Sequence, residues 1–245
     1  MGEDRYADEL VENFRNDGID TSLVFREEGI ATGSALIMLD NQGNNYLSVA
    51  PGSNYRMSTL HINKALDALK AAEIIILQME IPLETNAYIF QLAAQYKKKI
   101  LFNLAPARSF DFSLLKHVYA FVVNEVEASM VTGQKVETDQ EVIEAGEDLK
   151  RRGPEIVIIT LGSRGAYVVS GEMKEFIPAF KVKAVDTTAA GDVYCGSLAV
   201  ALVEGKPVRE AIKFAAAASA ISVTRLGAQP SAPVRAEIDV MFSSV

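Results

Sequence analysis

The sequence predicts an α/β fold built around a mostly parallel central sheet. Apolar runs of four or five residues recur along the chain and alternate with helical stretches. Such runs are typical of parallel strands that helices bury on both faces. The length of 245 residues, 49% of them hydrophobic, is enough for a substantial core. We therefore expect residues 1–245 to form a single domain.

The first predicted elements precede the sheet. Residues 4–17 carry apolar side chains at the spacing of an amphipathic helix. Two apolar runs, 35–39 and 46–49, flank the polar turn 40–44 and predict a β-hairpin. A helix predicted over 61–71 then leads into the sheet.

The middle of the chain alternates strand and helix, which is the pattern of a doubly wound parallel sheet. The predicted strands are 74–77, 100–103, 120–123 and 156–160. The helices between them are predicted at 83–96, 112–117 and 139–152. A hairpin of 165–169 with 175–177 follows, and the chain closes with helices predicted at 192–203, 208–224 and 234–242.

Composition excludes several classes of function. The net charge of -8 and the pI near 5.0 argue against a nucleic-acid partner or an anionic membrane. No apolar run approaches membrane-spanning length, and the acidic first residues do not resemble a signal peptide, so we expect a cytoplasmic protein. With one cysteine, Cys195, and two histidines, His61 and His117, no zinc-like cluster is indicated. Packing is favoured over nucleophilic catalysis for Cys195.

The stretch 186–198 is the most informative part of the chain. Residues 182–185 alternate like the end of a strand, and a small-residue turn then enters the apolar helix 192–203. The first turn of a helix offers unpaired N–H groups and the positive end of its dipole, so residues 190–192 can bind a phosphate. Asp192 would stand beside that phosphate as the acceptor of a hydroxyl proton. On the residues alone, a helix-capping role for Asp192 is equally open.

Polar and glycine residues gather where the predicted strands end. They are Gln78, Glu80, Asn103, Arg108, Asn124, Glu125, Glu127, Thr160, Gly162, Ser163 and Arg164. Because ligands of doubly wound sheets bind beyond the carboxyl ends of the strands, this distribution indicates a binding site. Neither a Gly-x-x-x-x-Gly-Lys-Ser/Thr loop nor a Gly-x-Gly-x-x-Gly loop occurs in the sequence. A Walker-type NTPase and an ordinary dinucleotide enzyme are therefore not indicated.

Seven short motifs occur in a fixed order. They are Ala-Thr-Gly at 31–33, Leu-Gln-Met-Glu at 77–80, Asn-Leu-Ala-Pro-Ala-Arg at 103–108, Asn-Glu-Val-Glu-Ala at 124–128, Thr-Leu-Gly-Ser-Arg-Gly at 160–165, Asp-Thr-Thr-Ala-Ala-Gly-Asp at 186–192 and Val-Thr-Arg-Leu-Gly-Ala-Gln-Pro-Ser at 223–231. In this order they resemble the ribokinase-like sugar kinases of the phosphofructokinase-B type, over essentially the whole chain. The Ala-Pro-Ala-Arg and Gly-Ala-Gln-Pro-Ser pieces favour the ribokinase branch over fructokinases and nucleoside kinases.

The resemblance implies a three-layer α/β/α fold in which residues 32–50 form a partial β lid. It also implies ATP-dependent transfer of the γ-phosphoryl group to the 5-hydroxyl of D-ribose. By the pattern of the family, Asp192 is the catalytic base and Glu80 contacts the ribose, as Asp192 also does. The anion hole for the transferred group would be formed by the backbone of Ala189, Ala190 and Gly191.

The resemblance further implies binding sites for the nucleotide and for two cations. The nucleotide-binding residues would be Asn124, Glu127, Thr160, Leu161, Gly162, Ser163, Arg164, Gly165, Gly191 and Ala216. Of these, Asn124 and Glu127 would hold the phosphates and, through water, Mg²⁺. A potassium site would be formed, partly through backbone carbonyls, by Asp186, Thr188, Ser222, Arg225, Gly227 and Ser231. Ordinary interpretations of these residues also stay open, such as turn capping for Asp186.

The sequence departs from the common family pattern in four places. The family commonly has Asn-Pro at 103–104, Pro-Asn at 123–124 and Thr-Phe-Asn at 193–195, and a histidine near the adenine at Ala216. These differences concern nucleotide affinity and packing more than the reaction.

The sugar-gripping part of the family pattern has no counterpart in the sequence. The first strand, the sugar-binding Asn and Asp residues and a Gly-Gly-Lys-Gly-x-Asn loop are missing. We therefore expect either an N-terminally truncated gene product or a chain that has lost the sugar grip. Two alternatives stay open: a non-catalytic nucleotide-binding or regulatory protein, and a kinase for another pentose, ketose or nucleoside. The oligomeric state is also open, although members of the family often form homodimers through the lid.

Overall fold

A computed structural model describes residues 1–39 and 45–243 of the chain. The chain divides into two compact units, residues 1–72 with 79–96 and residues 73–78 with 97–245. The single domain expected over 1–245 stays a prediction.

The first unit combines short helices with one hairpin. Its elements are α1 (Arg5–Asn16), β1 (Ser34–Leu39), β2 (Asn45–Ala50), a 3₁₀ turn (Gly52–Arg56), α2 (Thr59–Lys64), α3 (Leu66–Ala71) and α4 (Leu83–Gln95). The antiparallel pairing of β1 with β2 confirms the predicted hairpin, while its predicted turn 40–44 lies outside the described residues. The helix predicted over 61–71 is instead two helices, because Ala65 between them has non-helical backbone angles of φ −96° and ψ 8°.

The second unit is built on a sheet of six strands. The strands, in their order across the sheet, are β3 (Ile74–Leu77), β4 (Lys99–Asn103), β5 (Ala120–Asn124), β6 (Ile156–Thr160), β7 (Ala166–Val169) and β8 (Lys174–Ile177). β3 to β6 are parallel, and β7 and β8 extend the sheet as an antiparallel hairpin. The mostly parallel sheet predicted from the apolar runs is therefore confirmed.

Helices cover both faces of this sheet. They are α5 (Glu125–Thr132), α6 (Asp139–Arg151), α7 (Ala190–Val203), α8 (Val208–Ser222) and α9 (Arg235–Phe242). The backbone of Gly146 in α6 lies against Tyr167 and Val169, whereas Ala166 and Val168 pack into the core formed with α7 and α8. Because side chains alternate along a strand, α6 and the α7–α8 pair lie on opposite faces of β7.

Small residues let α7 and α8 approach each other closely. The buried residues that they share include Ala199, Ala201, Ala211, Ala215 and Ala218. Alanine at these positions also favours the helix itself. The two helices therefore pack tightly against each other through these small side chains.

Two local predictions for the second unit were wrong, and one helix was missed. Residues 112–117 form a 3₁₀ helix, which begins where the Asp111 side chain accepts the N–H of Ser113. Residues 182–185 belong to no strand, because the N–H groups of Val185 and Asp186 donate to the carbonyl of Val223 instead of to a neighbouring strand. The helix α5 was not predicted, although the spacing of Asn124 and Glu127 is that of a capping box.

Within residues 1–39 and 45–243, no helix combines the length and the apolar character needed to cross a membrane.

Candidate active site

The start of α7 is the turn that the sequence analysis singled out. The helix begins at Ala190, two residues earlier than predicted, and Ala189 precedes it with φ 59° and ψ 8°. This left-handed conformation costs a non-glycine residue about 1–2 kcal/mol, so the surrounding structure must hold the turn in place. The Ala190 N–H donates to the Thr187 carbonyl at 3.3 Å, whereas the N–H groups of Gly191 and Asp192 lie in the first turn, where helices offer no acceptor. These two groups can bind an anion.

Asp192 carries the carboxylate of this turn. It is the third residue of α7, and it is exposed to solvent. The surrounding protein removes part of its hydration, which raises the pKa of the Asp192 carboxyl above its ordinary value of 3.8. No side chain caps the start of α7 within the described residues, so the capping interpretation of Asp192 finds no support. A carboxylate with a raised pKa is a better proton acceptor than a carboxylate with an ordinary pKa.

A cavity of about 480 Å³ opens beside the start of α7. Six of the predicted nucleotide-binding residues line it, namely Thr160, Gly162, Ser163, Gly165, Gly191 and Ala216. Much of the remaining lining is apolar and comes from Ile177, Phe180, Val182, Tyr194, Ile212 and Val223. The volume falls within the range of small-molecule sites, which are mostly apolar with a few polar groups.

The loop between β6 and β7 forms one wall of this cavity. The Leu161 N–H donates to the Gly165 carbonyl at 2.8 Å and closes a tight turn. Gly165 has φ 100°, and a Cβ atom there would lie 2.0 Å from the carbonyl oxygen of Ile177. Only glycine fits this position without displacing the backbone of the neighbouring segment. The Leu161 side chain is buried, so it supports the turn from behind.

The Arg164 side chain turns to two carboxylates. Its Nη1 donates to Asp139 Oδ1 and its Nη2 to Glu125 Oε1, each at 2.9 Å. Arg164 is not among the residues that line the cavity in the described part of the chain.

Ser219 is a residue of the cavity that the sequence analysis missed. It lies on α8 and lines the cavity, and its hydroxyl donates to the Ala190 carbonyl at 3.0 Å. The bond ties α8 to the first turn of α7. The sequence offered one signal for Ser219. It lies three residues after the predicted site residue Ala216 on the same helix, and residues at that spacing share a helix face.

Asn124 and Glu127 bond each other at the start of α5. The Asn124 side chain accepts the N–H of Glu127, and the Glu127 carboxylate accepts the N–H of Asn124, both at 2.8 Å. Burial raises the pKa of Glu127, although its bond from Asn124 opposes the shift. Neither residue lines the cavity within the described ranges. In this structure the pair forms a capping box, with the Asn124 amide nitrogen left for other partners.

Cys195 lies near two of the predicted carboxylates. Burial, together with the nearby charges of Asp192 and Glu127, raises the pKa of its thiol to about 12. A thiol with this pKa is not a nucleophile at neutral pH. The packing interpretation of Cys195 is thus supported.

Asp186 joins two loops at the predicted cation site. Its Oδ1 accepts the Thr188 N–H and its Oδ2 accepts the Gly227 N–H, each at 2.9 Å. Hydrogen bonds from Thr188 and Gly227 hold the pKa of Asp186 below its ordinary value. The Asp186 N–H in turn donates to the Val223 carbonyl. Asp186 is therefore buried at the centre of a backbone network.

The other predicted cation ligands belong to the same network. The hydroxyls of Ser222 and Ser231 lie 2.9 Å apart, and both residues are fully buried. The Arg225 N–H donates to the Ser222 carbonyl, and its guanidinium pairs with Glu237 at 2.5 Å, so the carbonyl is the group of Arg225 that remains as a candidate ligand. Carboxylate, hydroxyl and carbonyl oxygens are hard ligands, which suit an alkali cation. Groups of three or more acidic, His or Cys side chains placed to hold a metal do not occur in the described ranges.

Glu80, the predicted ribose contact, belongs to the first unit and has an exposed side chain. The other predicted site residues belong to the second unit.

Comparison with known proteins gives the family. The family model described as "pfkB family carbohydrate kinase" matches residues 1–235. The chain belongs to the pfkB family of carbohydrate kinases. The resemblance found in the motifs is therefore confirmed, and the mostly parallel sheet flanked by helices is the fold of its pfkB relatives.

Several pfkB relatives of this chain are ribokinases. The ribokinase of Haemophilus influenzae is 34% identical over 237 residues, which cover 97% of this chain and 78% of that protein. The crystal structure of ribokinase from Thermotoga maritima matches with a TM-score of 0.87 and 37% identity, over 99% of this chain and 79% of that one. Arabidopsis thaliana ribokinase complexed with ribose and ATP matches with a TM-score of 0.88 and 29% identity, over 99% of this chain and 80% of that one.

Proposed function

We propose that this pfkB-family chain is an ATP-dependent ribokinase that phosphorylates the 5-hydroxyl of D-ribose. The observation that carries the proposal is the carboxylate of Asp192 at a helix start that opens on a nucleotide-sized cavity. The relatives named ribokinase, one of them complexed with ribose and ATP, support the choice of both substrates.

In this proposal the cavity binds the nucleotide, with its base among the apolar side chains. The triphosphate then extends towards Ala190 and Gly191, which line the same cavity. The N–H groups of Gly191 and Asp192 face the transferred group and stabilise its charge. Ala190 contributes less, because its N–H is already shared with Thr187.

Asp192 acts as the base during transfer. The ribose hydroxyl oxygen attacks the γ-phosphorus, its proton passes to the Asp192 carboxylate, and the bond to the β–γ bridging oxygen breaks to release ADP. Glu80 is proposed to orient the sugar. Because phosphoryl transfer needs little covalent help from the protein, positioning and charge stabilisation at the helix start contribute most of the rate.

Two cations complete the proposal. The buried carboxylate of Glu127 would hold a hydrated Mg²⁺, and the amide nitrogen of Asn124 would donate to a phosphate oxygen. When bound, Mg²⁺ neutralises phosphate charge. The network around Asp186 would bind K⁺ through oxygen ligands and thereby order the loop that precedes α7. Cytoplasmic location and homodimer formation remain part of the proposal.

The test is a coupled assay of ADP release with ATP, D-ribose, Mg²⁺ and K⁺. We expect Asp192→Asn to lower kcat by about 10²- to 10⁴-fold, the usual contribution of a positioned base, with little change in the KM for ATP. Asp67→Asn is the matched control, because its side chain is fully exposed. An unchanged rate in Asp192→Asn would show that Asp192 is not the base.

The same assay separates the remaining alternatives. Ribose should give the highest kcat/KM in a panel with another pentose, fructose and a nucleoside, because specificity is a ratio of kcat/KM values. Calorimetry that detects ATP binding without ribose binding or turnover would instead favour a nucleotide-binding protein without catalysis.

A further inference from the structure

Arg164 connects three separate elements of the second unit. It ends the 3₁₀ turn Gly162–Arg164 that follows β6, and its guanidinium donates to Glu125 of α5 and to Asp139 of α6. Both distances are 2.9 Å, and the guanidinium geometry lets one arginine bond two carboxylates at once.

The two carboxylates are themselves well anchored. Glu125 and Asp139 are the first residues of their helices, where negative charge is favourable. A capping box fixes each helix start, Asn124 with Glu127 and Thr138 with Glu141. The positions of both acceptors are therefore set by their own helices and not by Arg164.

The turn that carries Arg164 is held by its own backbone bonds and by the buried Leu161, but these contacts do not tie it to α5 or α6. Gly162 and Ser163 line the cavity, and Gly162 has a positive φ of 55°. The backbone bond from Leu161 to Gly165 closes the turn but does not attach it to α5 or α6. Arg164 supplies that attachment, because its side chain leads away from the cavity to helices beside it.

We infer that Arg164 is a positioning residue for the donor nucleotide, acting through Glu125 and Asp139 and not by contact with phosphate. This inference rests on the proposed function, since the nucleotide is taken to bind in the cavity. By fixing the turn, Arg164 keeps Gly162 and Ser163 at a constant position relative to the capping box of Asn124 and Glu127. A turn released from the two helices would have to be reordered each time the nucleotide binds, which lowers affinity.

The first test removes the arginine. We expect Arg164→Met to raise the KM for ATP about three- to ten-fold, the size expected for two partly exposed ion pairs, while kcat and the KM for ribose change less than about two-fold. Arg209→Met is the matched control, because Arg209 forms a similarly exposed pair with Glu175 at 3.0 Å away from the cavity lining. Arg164→Lys should recover only part of the effect, because one ammonium cannot replace the planar fork.

The second test separates positioning from contact. The double variant Glu125→Gln with Asp139→Asn should raise the KM for ATP as Arg164→Met does, and adding Arg164→Met to it should cause no further rise. If Arg164 bound the phosphates, freeing it from the carboxylates would leave the KM unchanged or lower it, and its later removal would still raise the KM. That outcome would overturn the inference.

Two further outcomes are decisive. Equal increases in the KM for ATP and for ribose, with a loss of thermal stability larger than in Arg209→Met, would mean a merely structural role and would also overturn the inference. If the wild-type chain shows no turnover, the proposed function fails, but the same variants are then compared by calorimetric ATP affinity. A loss of affinity in the same pattern would uphold the role of Arg164 independently.

Discussion

Asp192 faces two requirements that its surroundings balance. It must be ionised to accept a proton, yet partial burial disfavours the charge and raises its pKa above 3.8. The first turn of α7 offsets this cost, since the positive end of a helix dipole favours a nearby carboxylate. The same raised pKa makes the Asp192 carboxylate a stronger base. The cost is that a smaller fraction of the group is ionised at low pH.

The pH dependence of the reaction follows from that shift. In the proposed mechanism only the ionised form of Asp192 is active, so kcat/KM should fall as the pH falls through its pKa, and the acidic limb should lie above 3.8. The measurement is kcat/KM for ribose between about pH 4 and about pH 8 at constant ionic strength. A value of kcat/KM that does not fall down to about pH 4 would contradict the raised pKa of this group.

At the scale of elements, the turn between β6 and β7 depends on one glycine. A Cβ atom on Gly165 would lie 2.0 Å from the Ile177 carbonyl and 2.7 Å from the Ala179 nitrogen, and its φ of 100° disfavours any other residue. Gly165→Ala must displace the backbone of a cavity wall. We expect a loss of about 2 kcal/mol or more in the free energy of unfolding, together with a higher KM for ATP.

Chemical denaturation followed by circular dichroism measures this loss. Gly171→Ala is the control, because it lies in the hairpin turn after β7 and a Cβ atom there meets no other atom within 4 Å. Equal free energies of unfolding for the two variants would show that the close backbone contact at Gly165 does not affect stability.

The elements were predictable to the extent that their signals are local. The four apolar runs gave β3 to β6 within one residue at either end, because a strand buried on both faces has a continuous apolar sequence. The strand end expected at 182–185 failed because its hydrogen bonds go to Val223, 38 residues beyond Val185, and no local pattern encodes that choice. Likewise, the motif at 186–192 predicted a helix start in this segment, whereas the partners of Arg164 lie 25 and 39 residues away from it.

At the scale of the whole molecule, the cavity proposed to bind the nucleotide belongs to one of two compact units. All residues that line it lie within 160–223, inside the second unit. The molecule carries a net charge of -8, which repels a polyanionic nucleotide at long range. Binding must therefore be driven by short-range contacts, namely the apolar walls and the N–H groups of the helix start.

Nucleotide binding should accordingly protect the second unit. A ligand at a hundred times its Kd adds about 2.7 kcal/mol to the apparent stability of the state that binds it. We expect ATP to slow amide hydrogen exchange in 160–165 and 189–192, measured by mass spectrometry, and to raise the melting temperature. The hairpin turn at 170–173 is the internal control, since it does not line the cavity. Protection confined to other segments would place the nucleotide elsewhere.

The bond between Ser219 and Ala190 has a consequence for inhibition. The bond joins the wall of the cavity to the turn where phosphate would be transferred. Because Ser219 and Ala190 both line the cavity, a molecule bound there contacts both elements. Because the walls are largely apolar, a flat, uncharged compound could occupy the cavity without imitating a triphosphate. Such a compound would compete with ATP and still cross a cell membrane, which charged nucleotide analogues do poorly.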